Sequence, residues 1–537
     1  MVDKPSGKET WGTRIGVILA VTGSAVGLGN FLRFPGLAAK YDGGAFMVPY
    51  FLAFLLLGLP IAWVEWSMGR YGGSRGFNSS PGIYRLIWPS KAAPYFGVLS
   101  MIVPVMIYMY YVYVEAWCLA YAVRYLFGLW ESNGTSEAYE QFFSAFVGKN
   151  AHGAAFAQAA ENLLTSSVFF LALCFVINFT LIYRGLTKGI EWFCKWAMPA
   201  LLVCALLVLL RVLTLGTPDP SKPDQNVLNG LGYMWNPSTQ KATFWQSLAK
   251  PEMWLEAAGQ IFFSLSVGFG IIVTYASYLR KDDDIALSSV TAAAGNEFCE
   301  VALGGMITVP AAYVFLGKPF LESLHENPVS TFGLGFVTLP NVFNQMIFGQ
   351  VVGFLFFFLL FLAALTSSLS MLQPAIALLE EGLGLPRKAS VALLGFITAV
   401  GAAFVVYFSE GLTALETLDF WVGTLALYLL AAFEVILFGW VLGVDRGFEE
   451  LSRGAEITIP KVFKFVIKYI SPLYLLAVFA AWCYKEFYTQ PTQLQMLRDK
   501  PVALAAVIFI VAVGVFFALL IAQSVRRWRK LEQQTAA

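Results

Sequence analysis

The sequence predicts an all-α polytopic membrane protein of twelve transmembrane helices, ten of them forming an inverted five-plus-five repeat in which helices 1 and 6 are discontinuous. Three observations carry that prediction. Of 537 residues, 58% are hydrophobic and 13% charged, with a mean hydropathy of +0.67, which is more apolar surface than a soluble core can hide. The apolar residues gather into runs of about 20, the length that crosses a bilayer. A Val-Gly-apolar-Gly core occurs twice, in Ser24–Asn30 and again in Leu265–Gly270, each time within such a run.

In chain order the runs lie near 13–37, 45–69, 93–127, 164–184, 188–212, 252–280, 285–316, 346–379, 388–408, 411–443, 462–485 and 501–525. The polar stretch 1–10 is short, and the first run is too long and too glycine-rich to read as a cleaved signal peptide. Alternate loops collect the basic residues: Lys4, Lys8 and Arg14; Arg70, Arg75, Arg85 and Lys91; Arg184 and Lys188; Arg280 and Lys281; Arg387 and Lys388; Lys461, Lys464 and Lys468; Arg526, Arg527, Arg529 and Lys530. By the positive-inside rule that side is cytoplasmic, so both termini are inside. The outer loops include 128–163, 213–251 and 317–345; Asn133-Gly134-Thr135 is a sequon of little weight.

Runs one to five and six to ten begin with matching breaks, and five is odd, so the second unit enters from the opposite face. The expected divisions are a first five-helix repeat with its cytoplasmic tail (1–212), an extracellular loop (213–251), the inverted second repeat (252–443), and helices 11 and 12 with the C-terminal tail (444–537). Helices 11 and 12 carry no recognisable chemistry; peripheral packing or a homodimer contact is their expected role. The stretch Lys461–Lys468 reads as an amphipathic linker into helix 11.

In hydrocarbon an unpaired backbone group costs several kcal/mol, so an unwound segment survives only against protein or a cavity, where its freed groups become ligands. Half-helix N-termini favour a carboxylate and freed carbonyls favour a cation. A single Gly-x-Gly is as well explained by close helix packing; two matched copies flanked by polar side chains are not. Asn30, Ser264, Ser266, Asn296, Thr366, Ser367 and Ser368 lie at the breaks or in other runs. Oxygens of this kind, with few carboxylates, suit a hard monovalent cation such as sodium. Thr366-Ser367-Ser368 alone is equally consistent with hydroxyls bonding back to their own helix.

Charges within the runs cost roughly 3 kcal/mol each at mid-bilayer. Arg33 follows the first break and Asp419 opens the tenth run's core; the two are expected to face each other across an outer vestibule. Glu65, Glu115 and Glu300 lie deeper, and Glu300 is one turn after Asn296. A carboxylate there offsets sodium charge, takes up a proton, or stays protonated for structure. Tyr110 and Tyr111 in the third run stand out among the aromatic residues, with Phe263 and Phe269 around the second break, where rings are candidates to close over a ligand. A net charge of +1 gives no basic excess for nucleic acid. The six cysteines show no metal or disulfide spacing and both histidines fall in polar loops. No organic cofactor is indicated, and an enzyme reading lacks a nucleophile with its base.

The motifs together are specific. Trp11-Gly12-Thr13-Arg14-Ile15-Gly16, Gly27-Leu28-Gly29-Asn30-Phe31-Leu32-Arg33-Phe34-Pro35, Gly43-Gly44-Ala45-Phe46, Tyr110-Tyr111, the Gly189 to Pro199 spacing, Gln260–Ser266, Asn296-Glu297, Thr366-Ser367-Ser368 and Asp419-Phe420-Trp421 resemble the neurotransmitter:sodium symporter family along essentially the whole chain. The likeness is greatest to its bacterial leucine-transporter branch, whose five-plus-five fold agrees with the repeat above.

The resemblance implies two sodium ions. One would be held by the Ala25 carbonyl, Asn30, Ser264, Asn296 and the substrate carboxylate; the other by the carbonyls of Gly23, Val26 and Ala363 with the hydroxyls of Thr366 and Ser367. An amino-acid carboxylate would meet the amides of Leu28 and Gly29 and the Tyr111 hydroxyl, and its ammonium the carbonyls of Ala25, Phe263, Ser264 and Ser266. Ile107, Tyr111, Phe263, Phe269, Ser367 and Met371 would line the side-chain pocket. The implied outer gate is Arg33 with Asp419, beneath a lid of Tyr111 and Phe263; the inner gate is Lys8 with Glu381, helped by Trp11 and Tyr278. Glu300, expected beside Tyr50, Gln260 and Ser264, stands where chloride-dependent relatives carry a small polar residue, which implies transport without chloride.

Departures from that branch are Ser24 for asparagine, Ser264 for threonine, Lys8 for the gate arginine and Glu381 for the gate aspartate. Lys8 gives up bidentate guanidinium geometry. Ile107 for valine and Met371 for isoleucine reshape the pocket. The expected function is sodium-coupled import of an apolar L-amino acid by alternating access, with alanine to leucine favoured over tryptophan. The alternative is a binding sensor or uncoupled channel on the same fold.

Overall fold

A computed structural model describes residues 9–41, 43–130, 134–236, 244–323, 331–489 and 492–536. Lys8, His325 and the sequon asparagine Asn133 lie outside them. Among the described residues the chain is helical, with no strand. Nine helices are long and apolar enough to span: Gly43–Gly73, Ala93–Leu126, Leu186–Leu213, Ile285–Ser323, Gly349–Gly382, Arg387–Tyr407, Glu410–Ser452, Val462–Tyr488 and Pro501–Gln534. Three shorter or broken elements complete the expected twelve. Arg14–Ala25 and Gly29–Lys40 form one span bent by 50°; Ser167–Tyr183 is a single apolar helix; Pro251–Leu265 and Ile271–Ser277 are the halves of another. In chain order these are spans 1 to 12.

Local signals set several starts. Thr13 caps span 1 by accepting from the Gly16 amide at 3.0 Å, Ser166 caps span 4 through Phe169, and Asp284 caps span 7 through Leu287 at 2.9 Å. Some boundaries differ from the sequence expectation. The stretch Lys461–Lys468 is no separate linker, because Val462 already begins the helix of span 11. Span 10 runs on to Ser452, where the polar face of its last turns anchors Arg70 through Glu450 at 2.9 Å. The outer loops carry helices of their own, among them Ser136–Phe146, Ala154–Glu161 and Val227–Trp235.

Spans 3 and 8 form the centre, with span 5 along span 8 and the first half of span 1 wedged among spans 5, 7 and 8. In the most apolar window of span 3, 83% of residues are buried, against 28% in span 11 and 22% in span 12. The last two spans are therefore the periphery, consistent with lipid contact. Several spans contain wide π-type turns, including Gly29–Arg33, Leu186–Glu191, Phe298–Gly305 and Asp419–Ala426. Such turns are frequent at functional sites, and here they hold Asn30, Glu191, Glu300 and Asp419.

Candidate functional site

The first break is narrower than its motif. The helix ends at Ala25, Val26 turns extended (φ −70°, ψ 105°) while its amide still reaches Thr22 at 2.7 Å, and a wide turn resumes at Gly29. The Asn30 side chain repairs part of the gap by accepting from the Gly27 amide at 2.9 Å. The second break runs from Ser266 to Gly270, with Ser266, Gly268 and Gly270 all in the left-handed region (φ 53°, 76° and 73°), which glycine adopts at little cost. Glu65 of span 2 accepts from the freed Gly268 amide at 2.6 Å. The breaks meet directly, because the Ser266 hydroxyl donates to the Ser24 carbonyl at 2.8 Å.

Between them lies a cavity of about 230 Å³. It is lined by every residue expected to touch substrate: Ala25, Leu28, Gly29, Ile107, Tyr111, Phe263, Ser264, Ser266, Phe269, Ser367 and Met371. Other cavities are larger, about 840 Å³ beside Tyr233 and Lys318, about 720 Å³ beside Lys40 and Trp482 and about 430 Å³ beside Trp440 and Asp445, but these are not lined by residues of either break. Phe263 and Phe269 meet edge to face at 5.9 Å. The Tyr111 hydroxyl accepts from the Leu28 amide at 3.4 Å, which aims it at the freed end of span 1. The sequence reading missed Val114, Thr331 and Phe332 as lining residues. Val114 was reachable, since 107, 111 and 114 share one helical face; Thr331 and Phe332 come from an outer loop with no local signal.

Two oxygen clusters border the cavity. In the first, Asn30 Nδ2 donates to Asn296 Oδ1 at 2.8 Å and to Glu300 at 3.1 Å, Asn296 donates to the Ser264 hydroxyl at 2.5 Å, and Ser264 donates to Glu300. Gln260 holds the other Glu300 oxygen at 2.7 Å. Tyr50 donates to Glu297 at 2.8 Å. Asn30, Gln260, Ser264, Asn296 and Glu300 are buried and Glu297 is half-buried, and hydroxyl, amide and carboxylate oxygens of this kind suit a hard cation. In the second, the Ser367 hydroxyl lies 3.4 Å from the Gly23 carbonyl, 3.4 Å from that of Val26, 3.2 Å from that of Ser24 and 3.0 Å from that of Ala363. Thr366 joins it through Ala363 at 3.0 Å. Four carbonyls around one hydroxyl are oxygens of the kind a hard monovalent cation takes, although Ser367 on Ala363 and Thr366 on Leu362 and Ala363 are also bonds back to their own helix. Ser24, expected only as a tolerated departure, contributes its carbonyl here while its hydroxyl pairs with Ser370 at 2.7 Å.

The outer charges share the cavity but do not pair. Arg33 lies 3.9 Å from Glu256 and stacks over Phe263 at 4.6 Å, while Asp419 accepts from Tyr110 at 2.6 Å. Both line the cavity, the placement expected of two residues facing each other across an outer vestibule, and no ion pair joins them. On the inner side Lys8 is outside the described residues, and Glu381 accepts from the amides of Asn78 and Ser79 at 2.6 and 2.7 Å. Trp11 donates to the Tyr275 carbonyl at 2.9 Å, and Tyr278 accepts from Gln373 at 3.1 Å. An unexpected ion pair joins Glu9 to Arg387 at 3.1 Å.

The profile of the sodium:neurotransmitter symporter family matches residues 8–170 and 165–527. A sodium-dependent transporter of Methanocaldococcus jannaschii is 29% identical over 88% of this chain and 89% of its own; one from Bacillus subtilis is 31% identical over 70% and 74%. A neutral amino acid transporter of Mus musculus, B(0)AT1, is 24% identical over 89% and 82%. Among solved structures, MhsT in complex with L-phenylalanine aligns with a TM-score of 0.73 at 28% identity, over 88% of this chain and all of that one. Profile, relatives and fold concur with the two broken spans and the oxygen clusters between them: the chain belongs to the sodium:neurotransmitter symporter family, a family of membrane transporters and not of enzymes.

Proposed function

We propose that this chain imports an apolar L-amino acid by sodium-coupled symport, without a chloride requirement. One observation carries the reading: unwound backbone from both repeats and two separate oxygen clusters converge on a single small cavity with apolar walls. The Leu28 and Gly29 amides and Tyr111 take the substrate carboxylate, and the carbonyls of Ala25, Phe263, Ser264 and Ser266 take its ammonium. Ile107, Phe269 and Met371 receive the side chain. Two sodium ions are co-substrates, one at Ala25, Asn30, Ser264 and Asn296, the other at Gly23, Val26, Ala363, Thr366 and Ser367. Because the substrate carboxylate completes the first sodium shell, each ligand strengthens the other by the same factor. Support for the substrate class comes from MhsT, solved with L-phenylalanine, and from the neutral amino acid transporter.

Glu300 supplies the fixed negative charge that chloride would otherwise bring, which supports chloride independence. Unpaired outer charges above an inner face tied by Glu9 to Arg387 support an outward-facing state. In the bacterial inner membrane, with both termini cytoplasmic, substrate then enters from outside. Closure brings Arg33 and Asp419 together, and opening inward parts Lys8 from Glu381. Spans 1–5 and 6–10 act as the two inverted units. Uptake into sealed vesicles driven by an inward sodium gradient tests the reading. Uphill accumulation is expected; binding without accumulation would assign the chain as a sensor.

A further inference from the structure

The N-terminal strap is fastened to the start of span 5 at three levels. The Leu186 amide donates to Glu9 at 2.8 Å, and the Thr187 hydroxyl donates to the Thr10 carbonyl at 3.0 Å. Glu191 ends the series: it accepts from the Gly12 amide at 2.8 Å and from the Thr13 hydroxyl at 2.9 Å. Its carboxylate is 1% exposed and packs so closely on span 1 that a Cβ at Gly16 would overlap it. A carboxylate in that position satisfies amides at a helix start and complements its dipole. Span 1 begins at Arg14 behind its cap Thr13, so a side chain of span 5 holds the capping residue of the half-helix whose far end, at Ala25, borders the cavity.

Glu191 has one further partner, Lys195 at 2.7 Å, one turn along its own helix. That bond does not involve the strap. When the strap leaves, the carboxylate keeps a cation and is not stranded, which matters because an unpaired buried charge is strongly destabilising. We infer that Glu191 and Lys195 form a two-position latch for the first half of span 1: Glu191 holds the strap while the inner face is closed, and Lys195 stabilises the same carboxylate once the strap has parted. Glu191 is a positioning residue acting through the backbone of span 1; it touches neither substrate nor sodium.

The inference rests on the alternating-access reading, and it makes the two residues oppose one another. Glu191→Gln weakens the capping bonds and frees the strap. Lys195→Met leaves a carboxylate with nothing but the strap to pair with, and so holds the strap down. Backbone amide exchange over residues 9–21, followed by mass spectrometry on the full chain in nanodiscs, reads both. Sodium is expected to slow exchange there in the unaltered protein; if it does not, the alternating-access reading fails first. Given that response, Glu191→Gln should raise exchange in sodium about tenfold, since hydrogen bonds to a charged group are among the stronger ones, and Lys195→Met should lower it. Thr13→Val, which removes the hydroxyl's bond to Glu191 and with it the cap on the Gly16 amide, should raise it too and covers the case in which Glu191→Gln does not fold. Shifts in the same direction for Glu191→Gln and Lys195→Met, or no shift in either, would overturn the latch; so would a Thr13→Val protein that exchanges like the unaltered one.

Discussion

Ser24 and Ser266, 242 residues apart, are joined by a 2.8 Å hydrogen bond from the Ser266 hydroxyl to the Ser24 carbonyl. The same carbonyl lies 3.2 Å from the Ser367 hydroxyl. One oxygen near the end of the first half of span 1 thus links the break in span 6 to the cluster on span 8.

Ser367→Ala removes the hydroxyl around which four carbonyls gather. Since charged ligation of this kind is worth roughly 1.5–3 kcal/mol, the sodium concentration for half-maximal uptake should rise at least tenfold, with substrate selectivity little changed. A sodium titration of uptake measures it, and an unchanged midpoint would remove Ser367 from the site.

Asn30→Ala acts differently, because Asn30 also supports the Gly27 amide and bonds Asn296 and Glu300. Sodium-dependent binding of a labelled amino acid, read by scintillation proximity, should be lost even where the protein still folds.

Pocket size is set by Ile107 and Met371. Ile107→Ala should shift competition toward larger side chains, with tryptophan gaining roughly tenfold on alanine, as about one to three kcal/mol follows each methylene fitted or excluded. In the unaltered protein alanine and leucine should displace label far better than tryptophan.

Replacement of chloride by gluconate should leave uptake by the unaltered protein intact. Glu300→Ser should create a chloride requirement, because it removes the carboxylate bonded by Gln260, Ser264 and Asn30. A large loss of unaltered uptake in gluconate would show that Glu300 has been misassigned.

Most of the fold was legible because bilayer length and charge bias act on composition, which any sequence displays. The breaks were legible through glycine, and the cavity residues through the family motif that carries them. Pairings between distant carboxylates and backbone were not legible. Glu65 on Gly268, Glu191 on Gly12 and Glu9 on Arg387 depend on which helices pack side by side, and nothing near any of those residues announces its partner. The wide turns also escaped notice, since one residue added to a helical turn leaves no compositional trace. Arg33 and Asp419 are the opposite case: the motif names both, and both line the cavity, although no ion pair joins them.

Thr331 and Phe332 close the cavity from a short outer helix, Thr331–Gly333, rather than from a membrane span. Residues there carry no ion ligand and bear little of the bilayer's constraint. A substitution at Thr331 or Phe332 therefore reshapes the cavity wall from outside the membrane spans, and leaves every residue of the two oxygen clusters in place.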